Sequence, residues 1–244
     1  MERRALGRTG LEVSALGFGC GAVGGLMVRG DPGAQRRAVE RALVAGVRYF
    51  DTAPGYGDGR SEENLGRVLR EIGAGAAGAV VGTKLRLDPA AATAGGAEPA
   101  VRESLAASLR RLGRERVDLL QLHNRIVGGE AGVPGEGGVG AAAGPQASAL
   151  GGALTAEQVL GPVADALRAV QEEGLAGQVG ITATGEPGAV RRVLESGFPA
   201  TAQVYFNALN PSAGWAGGGG AGGQDFEGLI DVAAGQGVGV IVIR

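Results

Sequence analysis

The chain has 244 residues, 44% of them hydrophobic, and a formal net charge of −2. That is enough for one barrel-sized domain with a buried core, and no basic run or stripe marks it for nucleic acid. A single cysteine, Cys20, rules out an internal disulfide and a cysteine-based zinc cluster. No apolar stretch nears the roughly 20 residues that span a bilayer. The opening "MERRALGRTG" lacks the apolar segment of a signal peptide, so the expected setting is the cytoplasm, without membrane attachment.

In chain order, residues 3–13 read as a small hairpin around Thr9-Gly10, followed by a strand at "VSALGFG" (13–19). A helix over 34–46 carries Arg37, Glu40 and Arg41 on its polar face, and strands follow at "VRYFD" (47–51) and "AVVGTK" (79–84). The helix at 99–113 places Val101, Leu105, Leu109 and Leu112 on one stripe, and leads to a strand at "VDLLQLH" (117–123). Residues 124–154, Gly/Ala-rich and aperiodic over 128–153, read as an inserted flexible loop. A helix over 155–174 has a capping-box Thr155 and Gln158 at its start and Gly174 at its end. Strands at "QVGITAT" (178–184), "AQVYFN" (202–207) and "VGVIVI" (238–243) complete the pattern. A second glycine-rich loop, 214–223, carries Trp215, either a lid over a ligand or an anchor packed on a helix. The apolar runs are short and do not alternate, as strands of a buried parallel sheet do not. Strand and helix stay in phase across both loops, so residues 1–244 read as a single α/β domain.

"GCGAVG" (19–24) matches G-x-G-x-x-G after the first strand, but turn signals at Gly30 to Gly33 come before any helical period. A dinucleotide fingerprint needs its third glycine in a helix, so this stretch reads instead as a strand end where backbone approaches a ligand or another strand. More informative are Asp51, Lys84 and His123, which end three successive apolar runs. Parallel strands place all three on one side of the sheet, the side that forms the active face of such folds. His123 is the only histidine, and Lys84 the only lysine among 23 basic side chains. A chain that uses arginine everywhere else keeps a compact ammonium here. Buried beside Asp51, Lys84 would stay charged and would lower the phenol pKa of nearby Tyr56 from about 10, making Tyr56 a better proton donor. His123 could orient the same acceptor. The set lacks a nucleophile–base pair and lacks clustered metal ligands. It suits protonation of a developing alkoxide, with hydride from a nicotinamide or flavin.

With these residues, the chain resembles the aldo-keto reductases. The resemblance runs from "LGRTGLEVSALGFGCG" to "GVGVIVIR", and its most specific stretches are "FDTAPGYGDGRSEENLG", "GTK" and "LLQLHN". It implies a (β/α)8 TIM barrel with a helix from Ser61 following the second strand. It also implies the tetrad Asp51, Tyr56, Lys84 and His123, with Tyr56 as general acid, and reduction of a small-molecule aldehyde or ketone with NADPH preferred and NADH not excluded. By the same resemblance Gln203 and Thr182 would meet the nicotinamide, with Asp51 and Gly21 also lining the cofactor. The family commonly has asparagine where this chain has Ala183, and the eighth strand and 2′-phosphate-gripping segment would lie beyond Arg244, after seven strand–helix units. These two departures motivate an alternative: a nucleotide-binding regulatory or interaction subunit with the same fold and little turnover. The resemblance leaves the oligomeric state open.

Overall fold

The computed structural model describes residues 1–129, 152–215, 217 and 224–243. The chain opens with an antiparallel hairpin, β1 (Arg3–Ala5) and β2 (Glu12–Ser14), as expected from its Thr9-Gly10 turn. The run at 13–19 does not form one strand. Val13 and Ser14 belong to the hairpin, and only β3 (Phe18–Gly19) enters the main sheet.

After β3 come a short helix α1 (Leu26–Arg29) and the amphipathic α2 (Pro32–Val44). The side chain of Asp31 caps α2 by accepting from Ala34 N, and Pro32 stands at its first position, where no amide is needed. Then β4 (Tyr49–Asp51), α3 (Arg60–Ile72), β5 (Val80–Leu85), α4 (Ala97–Leu112) and β6 (Val117–Leu122) alternate. A two-stranded parallel pair, β7 (Ile126–Val127) with β8 (Leu154–Thr155), brackets the stretch read as an inserted loop; residues 130–151 of that stretch lie outside the described residues.

The helix expected at 155–174 is interrupted. Its capping box is present, with Thr155 Oγ1 accepting from Gln158 N and the Gln158 side chain accepting from Thr155 N. Yet α5 (Ala156–Gln158) gives way to a π-helical turn at Val159–Val163 before α6 (Ala164–Glu172). Pro162 cannot donate to the helix ladder, and Gly161 takes a non-helical φ of −96° and ψ of −109°. The order ends with β9 (Ala176–Thr182), α7 (Pro187–Glu195), β10 (Thr201–Tyr205), α8 (Leu229–Gly235) and β11 (Gly239–Ile243).

The sheet order is β11-β10-β9-β6-β5-β4-β3, parallel at every pair. This is the expected α/β architecture, seven strands of a curled TIM-type barrel with helices around it. Helices close tightly against each other: a Cβ on Gly66 of α3 would lie 2.2 Å from the Leu112 carbonyl at the end of α4. On the concave side, Leu6 and Val13 of the hairpin region form a separate apolar cluster with Tyr49 and Leu119. Arg8 N donates to Gly237 O, and its guanidinium donates to Gln236 O and Pro199 O. The hairpin thereby plugs the N-terminal end of the strands, opposite the end at which Asp51 closes β4.

Candidate active site

Asp51 ends β4, and the next residues turn at once. Tyr56 N donates to Ala53 O at 3.1 Å, and Ser61 N donates to Tyr56 O at 3.2 Å, so the loop folds back over the strand end before α3 begins. Three left-handed residues, Gly57, Asp58 and Gly59, carry it into the helix. The polar residues of "SEENLG" hold this loop. Ser61 Oγ donates to Cys20 O and lies 2.8 Å from Thr52 Oγ1. Glu62 is fully buried, accepting from Thr83 Oγ1 and from Arg111 Nε, each at 2.6 Å. Asn64 Nδ2 donates to Met27 O. Sequence reading missed the work of Glu62, because its partners lie 21 and 49 residues further on.

Lys84, on the next strand, is 1% exposed and donates three ways: to Asp51 Oδ2 at 2.6 Å, to Thr52 O at 2.9 Å and to the Tyr56 hydroxyl at 3.2 Å. Its Nζ also lies 4.9 Å from the centre of the Tyr56 ring. Burial pulls the ammonium pKa down, but the Asp51 charge and then Tyr56 more than offset this, so the pKa stands above its ordinary value. Lys84 is therefore a charged group held in the interior, as expected. Tyr56 departs from expectation. Its pKa is raised, because burial of the phenol outweighs the downward pull of Lys84, with Asp51 adding to the rise. Tyr56 is thus a protonated phenol at neutral pH with a cation placed to receive its anion. The His123 ring stands edge-on to Tyr56, with centroids 6.3 Å apart. Burial, reinforced by the Lys84 and Arg86 charges, pushes the imidazole down to about 3, so it is neutral and retains one N–H donor. A cavity of about 270 Å³ opens here, with Pro54, Gly55, Lys84, Arg86 and His123 among its walls.

The residues expected to meet a cofactor gather at the same mouth. Gln203 on β10 donates through Nε2 to Asp51 Oδ1 at 2.6 Å. Thr182, at the end of β9, is the register partner of Gln203. Its hydroxyl is buried with no hydrogen-bond partner among the described residues, an orphaned polar atom that an added ligand group could satisfy. Gly21 lies against Tyr56: a Cβ there would be 3.8 Å from the phenol ring. The "GCGAVG" stretch opens no long helix, only turns and the four-residue α1, as its flanking turn signals imply. Trp215 meets Phe206 edge-on and stays 57% exposed; the remainder of its loop, apart from Gly217, lies outside the described residues until Gln224. The structure thus brings Asp51, Tyr56, Lys84, His123, Gln203, Thr182 and Gly21 together. It adds one residue that sequence reading passed over: Tyr49, whose hydroxyl donates to Asp51 Oδ1 at 3.0 Å. The signal was present, since Tyr49 lies two residues before Asp51 on a strand and shares its face.

A phenol, a buried ammonium, a carboxylate and an imidazole thus meet at the C-terminal strand ends of a parallel barrel-type sheet. The sequence profile of the Aldo/keto reductase family matches residues 15–244, and the chain belongs to that family. It is 50% identical over 70 residues to the pyridoxal 4-dehydrogenase of Microbacterium luteolum, a match covering 29% of this chain and 20% of that protein. Among solved structures it resembles an aldo-keto reductase from Bacillus halodurans in its holo form, with a TM-score of 0.68 and 22% identity, over 99% of this chain and 65% of that one. It also resembles an aldo-keto reductase from Klebsiella pneumoniae in complex with NADPH, with a TM-score of 0.64 and 19% identity, over 99% of this chain and 68% of that one. The chain therefore spans about two thirds of these structural relatives and matches a much smaller share of the curated one.

Proposed function

We propose that this protein is a nicotinamide-dependent reductase of aldehydes or ketones that prefers NADPH, acting as a single barrel domain with an insertion over 124–154 in the cytoplasm. The observation that carries this reading is Lys84, bonded to Asp51 on one side and to the Tyr56 hydroxyl on the other, beside a neutral imidazole. A bound nicotinamide would supply the hydride. Thr182 and Gln203 would hold its carboxamide, and Asp51 and the backbone at Gly21 would line its ring.

The substrate oxygen would sit between Tyr56 and His123. The His123 N–H donates to it and fixes its direction. As the oxygen gains negative charge, the Tyr56 hydroxyl passes it a proton. The tyrosinate left behind is stabilised by the Lys84 ammonium in a water-poor setting, where such a contact is stronger than in bulk water. Asp51 keeps that ammonium in place and charged throughout. Tyr56 is neutral at rest because burial raises its pKa, so the proton is present when needed and leaves only as charge develops.

The test follows NADPH absorbance with a panel of simple aldehydes. Wild-type protein should consume NADPH, and Tyr56→Phe should lose about 10²-fold or more in kcat while binding NADPH with similar affinity. Equal rates for both proteins overturn the role of Tyr56. Cofactor binding by the wild type without turnover on any carbonyl would favour the nucleotide-binding regulatory reading instead.

A further inference from the structure

Two phenols flank the Asp51–Lys84 pair. Tyr56 meets the ammonium at the mouth, whereas Tyr49 lies beneath the carboxylate, inside the sheet's concave side and 4% exposed. Its ring uses space left by two glycines. A Cβ on Gly17 would lie 2.8 Å from its Cδ1, and one on Gly82 would lie 2.8 Å from its hydroxyl oxygen. The phenol is therefore fitted into place, and a phenylalanine would fill the same volume equally well. What phenylalanine would lack is the hydroxyl and its bond to Asp51 Oδ1 at 3.0 Å. Burial, and then the Asp51 charge, raise the Tyr49 pKa well above the ordinary phenol value, so it keeps that proton at any working pH.

The carboxylate is consequently held at both oxygens. Lys84 takes Oδ2 at 2.6 Å; Gln203 and Tyr49 both donate to Oδ1, at 2.6 Å and 3.0 Å. These two donors differ in permanence. Gln203 lies at the mouth, and in the function proposed above its amide also serves the cofactor. Tyr49 approaches from the side packed against Leu6, Val13 and Leu119, and is 4% exposed.

We propose that Tyr49 is a positioning residue of the active site: its hydroxyl fixes Asp51 Oδ1 so that Oδ2 stays turned to Lys84, which keeps the ammonium at Tyr56. The inference rests on the carbonyl-reductase reading for its kinetic arm only. Without Tyr49, the Asp51 carboxylate is free to swing about its own axis whenever Gln203 turns to the cofactor, and Lys84 follows it.

Tyr49→Phe tests this on the whole chain. The expected result is a fall in kcat of about tenfold, the size of one lost hydrogen bond to a charged group, with carbonyl KM and NADPH affinity little changed and the melting temperature lower by a few degrees. A second readout needs no turnover. Lys84 is the only lysine, so protein grown on labelled lysine gives a single side-chain NMR signal. Tyr49→Phe should shift that signal and speed its exchange with solvent, while in an Asp51→Asn background the same substitution should change nothing further. Unchanged kcat together with an unchanged Lys84 signal would show that Tyr49 only fills space and would overturn the proposal. If wild type reduces no carbonyl, the functional reading falls. The Lys84 signal then still decides the role of Tyr49: a shift in Tyr49→Phe supports it, and no shift overturns it.

Discussion

His123 is the residue whose environment makes the sharpest solution prediction. Its folded-state pKa of about 3 lies below the ordinary 6.5, because burial and the Lys84 and Arg86 charges disfavour the imidazolium. The unfolded chain therefore binds one more proton than the folded chain between these values. Stability contributed by the neutral imidazole is fully present above about pH 6.5 and is lost as pH falls toward 3. Melting curves at pH 4.5 and pH 7.5, chosen at roughly either side of the free imidazole value, should differ strongly in wild type. They should differ less in His123→Asn, which removes that titration; an equal pH gap in both proteins would show that His123 is not the group responsible. The placement of His123, Lys84 and Asp51 at one mouth was legible in the sequence because all three end apolar runs of a parallel sheet. The direction of the Tyr56 pKa was not. It depends on how deeply the phenol is buried against how near the ammonium stands, and a strand-end spacing reports neither.

At the scale of elements, α3 is the part that holds Tyr56 in place. Its buried Glu62 joins β5 through Thr83 and α4 through Arg111, each at 2.6 Å. A carboxylate with no exposure is tolerable only with such partners. Glu62→Ala would leave Thr83 without its acceptor and the Arg111 guanidinium unpaired at that site. The expected loss is about 3 kcal/mol in a denaturant titration, and weaker turnover as the Tyr56 loop loosens; a loss below about 1 kcal/mol would mean that solvent replaces Glu62 freely. The motif containing Glu62 stood out in the sequence, yet its packing role did not, since the three side chains meet only after two strand–helix units have folded. The break in the helix at Gly161-Pro162 is the opposite case. Pro162 stood in plain view inside an otherwise helical pattern and marked a kink by its missing amide; the hydrophobic period runs straight through it and hides the break.

At the scale of the molecule, the two ends of the strands differ in kind. The strands' C-terminal ends carry polar and ionisable groups, and the other end is closed by the hairpin through Leu6, Val13 and the Arg8 contacts to Gly237, Gln236 and Pro199. That closure joins residues nearly the whole chain apart, with Arg8 and Gln236 separated by 228 positions. For this reason the hairpin itself was legible from its Thr9-Gly10 turn, but its destination and the division of the 13–19 run between plug and sheet were not. Leu6 is 6% exposed and packs where glycine at 239 leaves room, a Cβ there lying 2.8 Å from Leu6 Cγ. Leu6→Ala should therefore open a cavity at the plug and cost about 2–4 kcal/mol. Tyr49 shares that apolar cluster, but its ring is also seated on Gly17 and Gly82, so the site above should keep its geometry. The expected outcome is a melting temperature lower by several degrees with kcat on aldehydes within about twofold of wild type at 25 °C, a change worth less than 0.5 kcal/mol. A kcat that falls in step with stability would show instead that the plug transmits to Asp51 through Tyr49, and that the two ends are mechanically one.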